Sequence, residues 1–289
     1  MNSPNKAASP RLPDWFRVRL PEGDRFARLG KNLRQRCLHT ICEEARCPNR
    51  GECWTSGTAT FLLMGPTCTR SCRYCSVGTG EPAPLDSGEP EAVADAAAAL
   101  GLKYIVVTSV TRDDLHDGGA GHFARVIERL KMRLPDSRVE ILAPDFNGRA
   151  GSIRTVAEAK PYVFGHNIET VEALFPVHRP QGDFARSIGV LEKAKELDGN
   201  LIVKSGLMLG LGETDAQVAA TLRALRGAGV DRLTIGQYLR PSRELAPVGR
   251  FVSPEEFGAW ELESRRMGFG WVKAGPSVRS SYHAEDDAD

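Results

Sequence analysis

All seven cysteines of this 289-residue chain lie between residues 37 and 75. Three of them form the run Cys68-Thr-Arg-Ser-Cys72-Arg-Tyr-Cys75. Thiols separated by three and then two residues can close on one iron–sulfur cube, and a cube normally takes four protein ligands. Three ligands leave one iron open, and an open iron can bind a small chelating molecule and pass it an electron. The rival reading is a zinc knuckle. Zinc takes four tetrahedral ligands in paired short spacings, and no CxxC pair with a distant partner pair occurs here.

A second triplet lies upstream, Cys42-Glu-Glu-Ala-Arg-Cys47-Pro-Asn-Arg-Gly-Glu-Cys53. Its spacing of four and then five residues is wider than the runs of ferredoxins. Alone it could be a structural zinc site short of one ligand. So close before the first run, a second iron–sulfur cluster is the better reading. Cys37 stands outside both triplets and reads as a free thiol, and His39 as an ordinary polar contact. An odd number of clustered cysteines does not suit a secreted disulfide framework; in a reducing compartment they read as cluster ligands.

Composition sets the bounds. With 41% hydrophobic residues the chain can bury a large core as one domain or two. Charge is balanced, 38 basic against 37 acidic residues, which argues against a nucleic-acid partner. Arginines between Trp15 and Lys31 do not alter that expectation. No apolar run reaches the ~18 residues of a membrane span, and no signal-peptide core is present, so a cytoplasmic protein with no membrane partner is expected.

The cysteines must be positioned by the elements around them. Residues 1–14 read as a flexible arm and 15–57 as a cysteine-rich extension. From residue 58 to 270, strands alternate with helices, the signature of a parallel sheet. Strands are expected at Thr60–Met64, Lys103–Thr108, Arg138–Ala143, Tyr162–Asn167, Leu201–Leu209 and Arg232–Gln237. Phe123, Val126, Ile127 and Leu130 mark one helix face, and Phe184, Ile188 and Leu191 another. Helix starts are signalled by Pro90, by Thr214 with Gln217, and by Ser253 with Pro254 and Glu256. Six such units are fewer than the eight that close a barrel. A partial (βα)6 TIM-like barrel is preferred over a doubly wound open sheet, with the 271–289 segment closing over its mouth.

Either architecture places the strand C-terminal ends on one side. The stretches found there carry the unusual chemistry. They are the Cys68–Cys75 run, Thr108–Asp114 followed by Asp117-Gly-Gly, His166-Asn167-Ile-Glu169, the Lys204 strand with Gly210-Leu-Gly212-Glu213, and Gln237–Ser242. Glu169 could accept both hydroxyls of a ribose or cap a helix, and Lys204 could meet a ligand or pair with a carboxylate. Gly210 and Gly212 would let backbone approach a ligand, but GxGxxG is absent, so a dinucleotide fold is not indicated. His116, His122, His166 and His178 show no metal-ligand pairing and read as surface or satisfied histidines.

The Cys68–Cys75 spacing, with aromatic Tyr74, resembles the cluster motif of the radical S-adenosylmethionine superfamily. That implies an open iron chelated by S-adenosylmethionine, which a reduced cluster cleaves to a radical that takes hydrogen from unactivated carbon. Together with the Cys42–Cys53 triplet, HNIET, KSGLMLGLGE, QYLRPS and Arg279-Ser-Ser-Tyr282, it resembles the lipoyl synthase family over residues 38–283.

The resemblance implies two 4Fe-4S clusters. Cys68, Cys72 and Cys75 would hold the S-adenosylmethionine-binding one, and Cys42, Cys47, Cys53 and Ser281 the auxiliary one, with Ser280 the position open to confusion with Ser281. Asn167, Glu169, Lys204, Gly210 and Gly212 are the candidate S-adenosylmethionine contacts, and Leu207, Met208 and Leu209 candidates for an alkyl pocket. Implied partners are octanoylated lipoyl carrier domains (2-oxoacid dehydrogenase E2 subunits and the glycine cleavage H protein), an electron donor such as ferredoxin or flavodoxin, and an iron–sulfur carrier that rebuilds the auxiliary cluster. Two octanoyl carbons, C6 and C8, would receive sulfur. A biotin synthase-like enzyme would share the Cys68–Cys75 run without the upstream triplet and RSSY, and an electron carrier would need only the cysteines.

Overall fold

A computed structural model describes residues 11–16, 24–56, 58–282 and 284. Residues 1–10 of the expected arm and 285–289 of the expected C-terminal segment lie outside the described residues.

The strands are β1 (His39–Thr40), β2 (Thr60–Leu63), β3 (Thr67–Cys68), β4 (Gly78–Thr79), β5 (Tyr104–Ser109), β6 (Arg138–Leu142), β7 (Val163–Gly165), β8 (Ile202–Leu209), β9 (Arg232–Gln237) and β10 (Trp271–Gly275). The helices are α1 (Asp24–Gln35), α2 (Ile41–Glu44), α3 (Arg50–Ser56), α4 (Glu89–Ala99), α5 (Ala120–Arg133), α6 (Ala150–Glu158), α7 (Phe175–His178), α8 (Phe184–Leu197), α9 (Asp215–Gly227) and α10 (Pro254–Arg266).

Eight strands form one sheet in the order β1-β2-β5-β6-β7-β8-β9-β10, and β3 and β4 pair separately. Only β1 runs antiparallel to its neighbour; β2 and β5 through β10 are parallel. The result is a partial barrel, open between β10 and β1, with one parallel strand more than the six expected. The added strand is β10, in the segment expected to be a C-terminal tail. It is an edge strand that buries Val272 alone, so its sequence carries almost no apolar alternation.

Alternation along the central strands sorts side chains onto two faces. Ile105, Val107, Ile141, Phe164, Val203, Leu207 and Ile235 pack outward against the helices. Tyr104 and Val106 face inward, where Ala284 packs on them. The helices start as their sequences dictate. Thr214 and Gln217 form a full capping box on α9, as do Ser253 and Glu256 on α10.

The chain after β10 returns across the open side. The Asn49 amide donates to the Ser277 carbonyl at 2.6 Å, Thr60 Oγ1 donates to Ser281 Oγ at 2.9 Å, and the Tyr282 hydroxyl donates to Glu52 at 3.3 Å. These contacts fasten the C-terminal segment to β2 and to the cysteine-rich extension. Among the described residues no helix is long and apolar enough to cross a membrane.

Candidate functional site

The Cys68–Cys75 loop leaves β2 through a turn that few residues could make. Met64 and Gly65 both have left-handed backbone, with φ of 66° and 82°. Glu89, at the start of α4, accepts the Met64 amide proton with both carboxylate oxygens at 3.0–3.1 Å, and lies 2.6 Å from buried His122 Nε2. Beyond the turn, Cys68 Sγ accepts the Arg70 and Thr111 amides at 3.4 and 3.3 Å. Amide donors to a sulfur fix its direction.

Arg70, inside the cysteine run, is the buried pin of the loop. Its guanidinium donates to both oxygens of Asp113, at 2.7 and 2.9 Å, and to both of Asp145, at 2.9 and 2.8 Å. Asn147 Oδ1 accepts from it at 2.7 Å, and Arg186 also donates to Asp145, at 2.9 Å. The cysteine loop is thus fixed to the loops after β5 and β6. Burial works to raise the Asp145 and Asp113 carboxyls, but hydrogen bonds and charge from Arg70 win and hold both low. The sequence signal for this hub was an arginine between ligands and an aspartate following each of two strands.

The HNIET stretch comes after β7, which is shorter than expected. Asn167 therefore sits beyond the strand, and Glu169 adopts left-handed backbone, with φ of 67°. Burial pushes the Glu169 carboxyl up, against the pull of Arg179 and an Asn167 hydrogen bond. Arg179 donates to the carbonyls of Asn167 and Ile168 at 3.2 and 3.3 Å, while its Nε has no partner. Its charge also acts on Cys72 and Tyr74, so it lies between the cysteine loop and Glu169. The sequence marked neither Arg179 nor the true setting of His166. His166 is buried, with Nδ1 2.9 Å from the Ala143 carbonyl and Nε2 unpartnered. Burial, with Arg179 nearby, lowers it to about 4, so it is neutral at pH 7.

Two of the candidate contacts have partners within the chain. Lys204 sits in the first half of β8, away from the strand end; its ammonium is buried, 2.7 Å from Glu140, whose other oxygen accepts the Tyr104 hydroxyl. It is a structural ion pair of the barrel interior. Gly210 does not offer its amide to a ligand, because that N–H donates to Glu213 at 2.6 Å, and the Leu211 amide also reaches Glu213. Gly210 is glycine because φ is 96° and a Cβ would strike Gln237 and the Arg250 carbonyl. Gly212, with φ of 113° and open space around its Cα, remains compatible with a close approach. Of the three alkyl-pocket candidates, Leu207 and Leu209 lie in the main core; only Met208 joins the smaller cluster with Tyr74, Leu211 and Tyr238.

The other triplet forms its own pocket. Cys42 lies on α2, Cys47 just beyond it and Cys53 on α3. The three, with Asn49, Thr60, Arg279, Ser281 and Tyr282, line one pocket. Ser280 faces elsewhere, its Oγ accepting the Asn167 amide at 2.6 Å. The two cysteine loops touch, since Ser76 donates to the Glu44 carbonyl at 2.6 Å. Cys37 is exposed, and all seven thiols are free.

These donors fit polynuclear groups. Three soft thiols and the Ser281 hydroxyl line one pocket, a donor set suited to an iron–sulfur cluster. Burial pushes Cys42 up to about 11 and Cys75 up to about 12. As thiolates they need a strong cationic partner, which iron provides.

A model of the radical SAM superfamily matches residues 62–225, and a model of the N-terminal domain of lipoyl synthase matches residues 2–47. A lipoyl synthase of Rubrobacter xylanophilus is 49% identical over 277 residues, 96% of this chain and 86% of the relative. The chain belongs to the lipoyl synthase family. A second member, from Caldanaerobacter subterraneus subsp. tengcongensis, is 51% identical over 95% of this chain and 96% of its own length. Solved structures agree on the fold: methylornithine synthase (TM-score 0.55, 13% identity, 79% of this chain and 76% of that one) and the hydrogenase maturase HydG (0.58, 16%, 74% and 50%). Family membership carries with it radical S-adenosylmethionine chemistry and iron–sulfur clusters.

Proposed function

We propose that this chain inserts two sulfur atoms, at C6 and C8, into an octanoyl group amide-linked to a lysine of a lipoyl carrier domain. When bound, the clusters and S-adenosylmethionine supply, respectively, sulfur with an electron and a carbon-centred radical that removes hydrogen. Cys68, Cys72 and Cys75 would hold one cluster, and Cys42, Cys47, Cys53 and Ser281 the other. The observation that carries this reading is Ser281, which reaches the pocket of the upstream thiols from the far end of the chain.

The chain's own residues do the positioning. Arg70 holds the first cysteine loop rigid between two carboxylates. Arg179 and Glu169 offer opposite charges in the half-buried space beside it, suited to the carboxylate and the ribose hydroxyls of S-adenosylmethionine. Ser281 supplies an oxygen donor, a harder base than thiolate and a poorer match to iron among sulfides, so it is the ligand most easily given up. The Ser76–Glu44 contact keeps the loops adjacent, as required if each alkyl carbon is held about 3–3.5 Å from its partners in turn. Met208 offers an apolar surface to that alkyl chain.

The finer partners belong to the same reading: E2 lipoyl domains and the glycine cleavage H protein as carriers, a cytoplasmic ferredoxin or flavodoxin as electron source, and an iron–sulfur carrier for renewal of the auxiliary site. Anaerobically reconstituted protein, reduced and given S-adenosylmethionine with an octanoyl-lysine peptide, should return the peptide with two added sulfurs by mass. A product that stops at one sulfur, or no thiolated product, would contradict the reading.

A further inference from the structure

Basic residues gather where the two cysteine loops meet. Arg46, between Cys42 and Cys47, is exposed and held outward by left-handed backbone, with φ of 50°. Arg73, between Cys72 and Cys75, is exposed too. Its amide donates to the His178 carbonyl at 2.9 Å, and its carbonyl accepts the Ala246 amide at 2.8 Å. The loop bearing Ala246 is stiff: the Tyr238 hydroxyl donates to the Ala246 carbonyl, and the Arg240 guanidinium donates to the carbonyls of Leu245 and Arg243. That scaffold presents the exposed side chain of Arg243.

Arg73 and Arg243 form no ion pair among the described residues, and the charge of Arg46 acts on exposed Glu244. Nearby carboxylates are engaged: Glu43 with Arg50, Glu44 with His39, and Glu244 with the Ser242 hydroxyl and the charges of Arg240 and Arg46. Several surface cations of α5, α8 and α10 face carboxylates, as in Arg129–Glu91, Arg133–Asp95, Lys193–Glu196 and Arg265–Glu261. Val177, one residue from the carbonyl that binds Arg73, is 54% exposed. A rim with exposed guanidiniums and an exposed apolar side chain is suited to a protein surface rich in carboxylates.

We propose that Arg46, Arg73 and Arg243 form the docking rim for the carrier domain, and that the carrier meets it with carboxylates flanking its octanoyl-lysine. This rests on the proposed reaction, since an acyl-lysine that must reach between two cysteine loops brings its own domain against whatever surrounds the entrance. Steering of this kind acts mainly on encounter and affinity and weakens with salt.

Binding of an octanoylated E2 lipoyl domain to anaerobically reconstituted protein, monitored by fluorescence anisotropy, tests the rim. Arg46→Glu and Arg243→Glu should each weaken binding about tenfold at low salt and less at high salt, with Arg243→Gln in between. Arg129→Glu on α5 changes net charge equally and should leave the Kd unaltered. Both rim variants should keep the wild-type iron content and the wild-type rate on a free octanoyl-lysine peptide. An unchanged Kd in the rim variants, or an equal loss in Arg129→Glu, overturns the proposal. If the unaltered protein binds the domain through these arginines yet inserts no sulfur, the rim stands and the proposed reaction falls.

Discussion

Asn167 donates its side-chain amide to Ser280 at 2.6 Å, while the next residue, Ser281, accepts a hydrogen bond from Thr60 and lines the pocket of the upstream thiols. Adjacent identical side chains are thereby given different work: one ties the C-terminal segment to the HNIET loop, and the other faces the cysteines.

That division predicts unequal effects of two neighbouring substitutions. Ser281→Ala should abolish sulfur insertion while S-adenosylmethionine cleavage persists. Ser280→Ala should retain full iron content and lose no more than about tenfold in rate, as a positioning contact would. Iron analysis and product mass on both variants check this, and equal losses would contradict the division.

Arg70 should be worth more to stability than an exposed arginine. Asp145 is fully buried, so Arg70→Ala leaves a carboxylate with reduced compensation, at a cost of about 3–5 kcal/mol. The effect should appear as a lowered thermal midpoint and a cluster that is lost more readily. Arg70→Lys should recover only part, since an ammonium cannot engage two carboxylates bidentately.

Acid should destabilise the protein in two windows. His166 is lowered to about 4, so its contribution is complete above its unfolded value of about 6.5 and is lost as pH falls from there toward 4. Asp113 and Asp145 are held low, so theirs is complete above about 3.9 and is lost only below that. Thermal midpoints measured against pH should show the first window flattened in His166→Phe and the second unchanged.

Lys204 and Glu140 should behave as one buried unit. Glu140→Ala or Lys204→Ala alone strands a charge and should destabilise by about 3–5 kcal/mol, whereas Lys204→Met with Glu140→Leu should cost much less than the sum. Denaturant midpoints for the double-mutant cycle check this.

The six central strands were legible because each carries a dense apolar run, and α9 and α10 because their caps are local chemistry. The β10 edge strand was not, since it buries one side chain and needs no apolar pattern. Glycine chemistry was ambiguous at Gly210: left-handed backbone in a loop after a strand is shared by ligand-binding turns and by turns that pack on their own chain. Lys204 was ambiguous because a charge on a central strand does not reveal which depth of the barrel it occupies. Arg70 and Arg179 could not be ranked above other arginines without knowing that Asp113, Asp145 and Glu169 converge on them.

The proposed reaction gives the two cysteine triplets different jobs. Its most direct test compares Cys68→Ala with Cys42→Ala, each reduced and supplied with S-adenosylmethionine and octanoyl-lysine peptide, measuring 5′-deoxyadenosine and peptide mass together. The predicted result is no 5′-deoxyadenosine from Cys68→Ala, and continued 5′-deoxyadenosine with no added sulfur from Cys42→Ala. Equal loss of both products in the two variants, or sulfur insertion by Cys42→Ala at the wild-type rate, would contradict it.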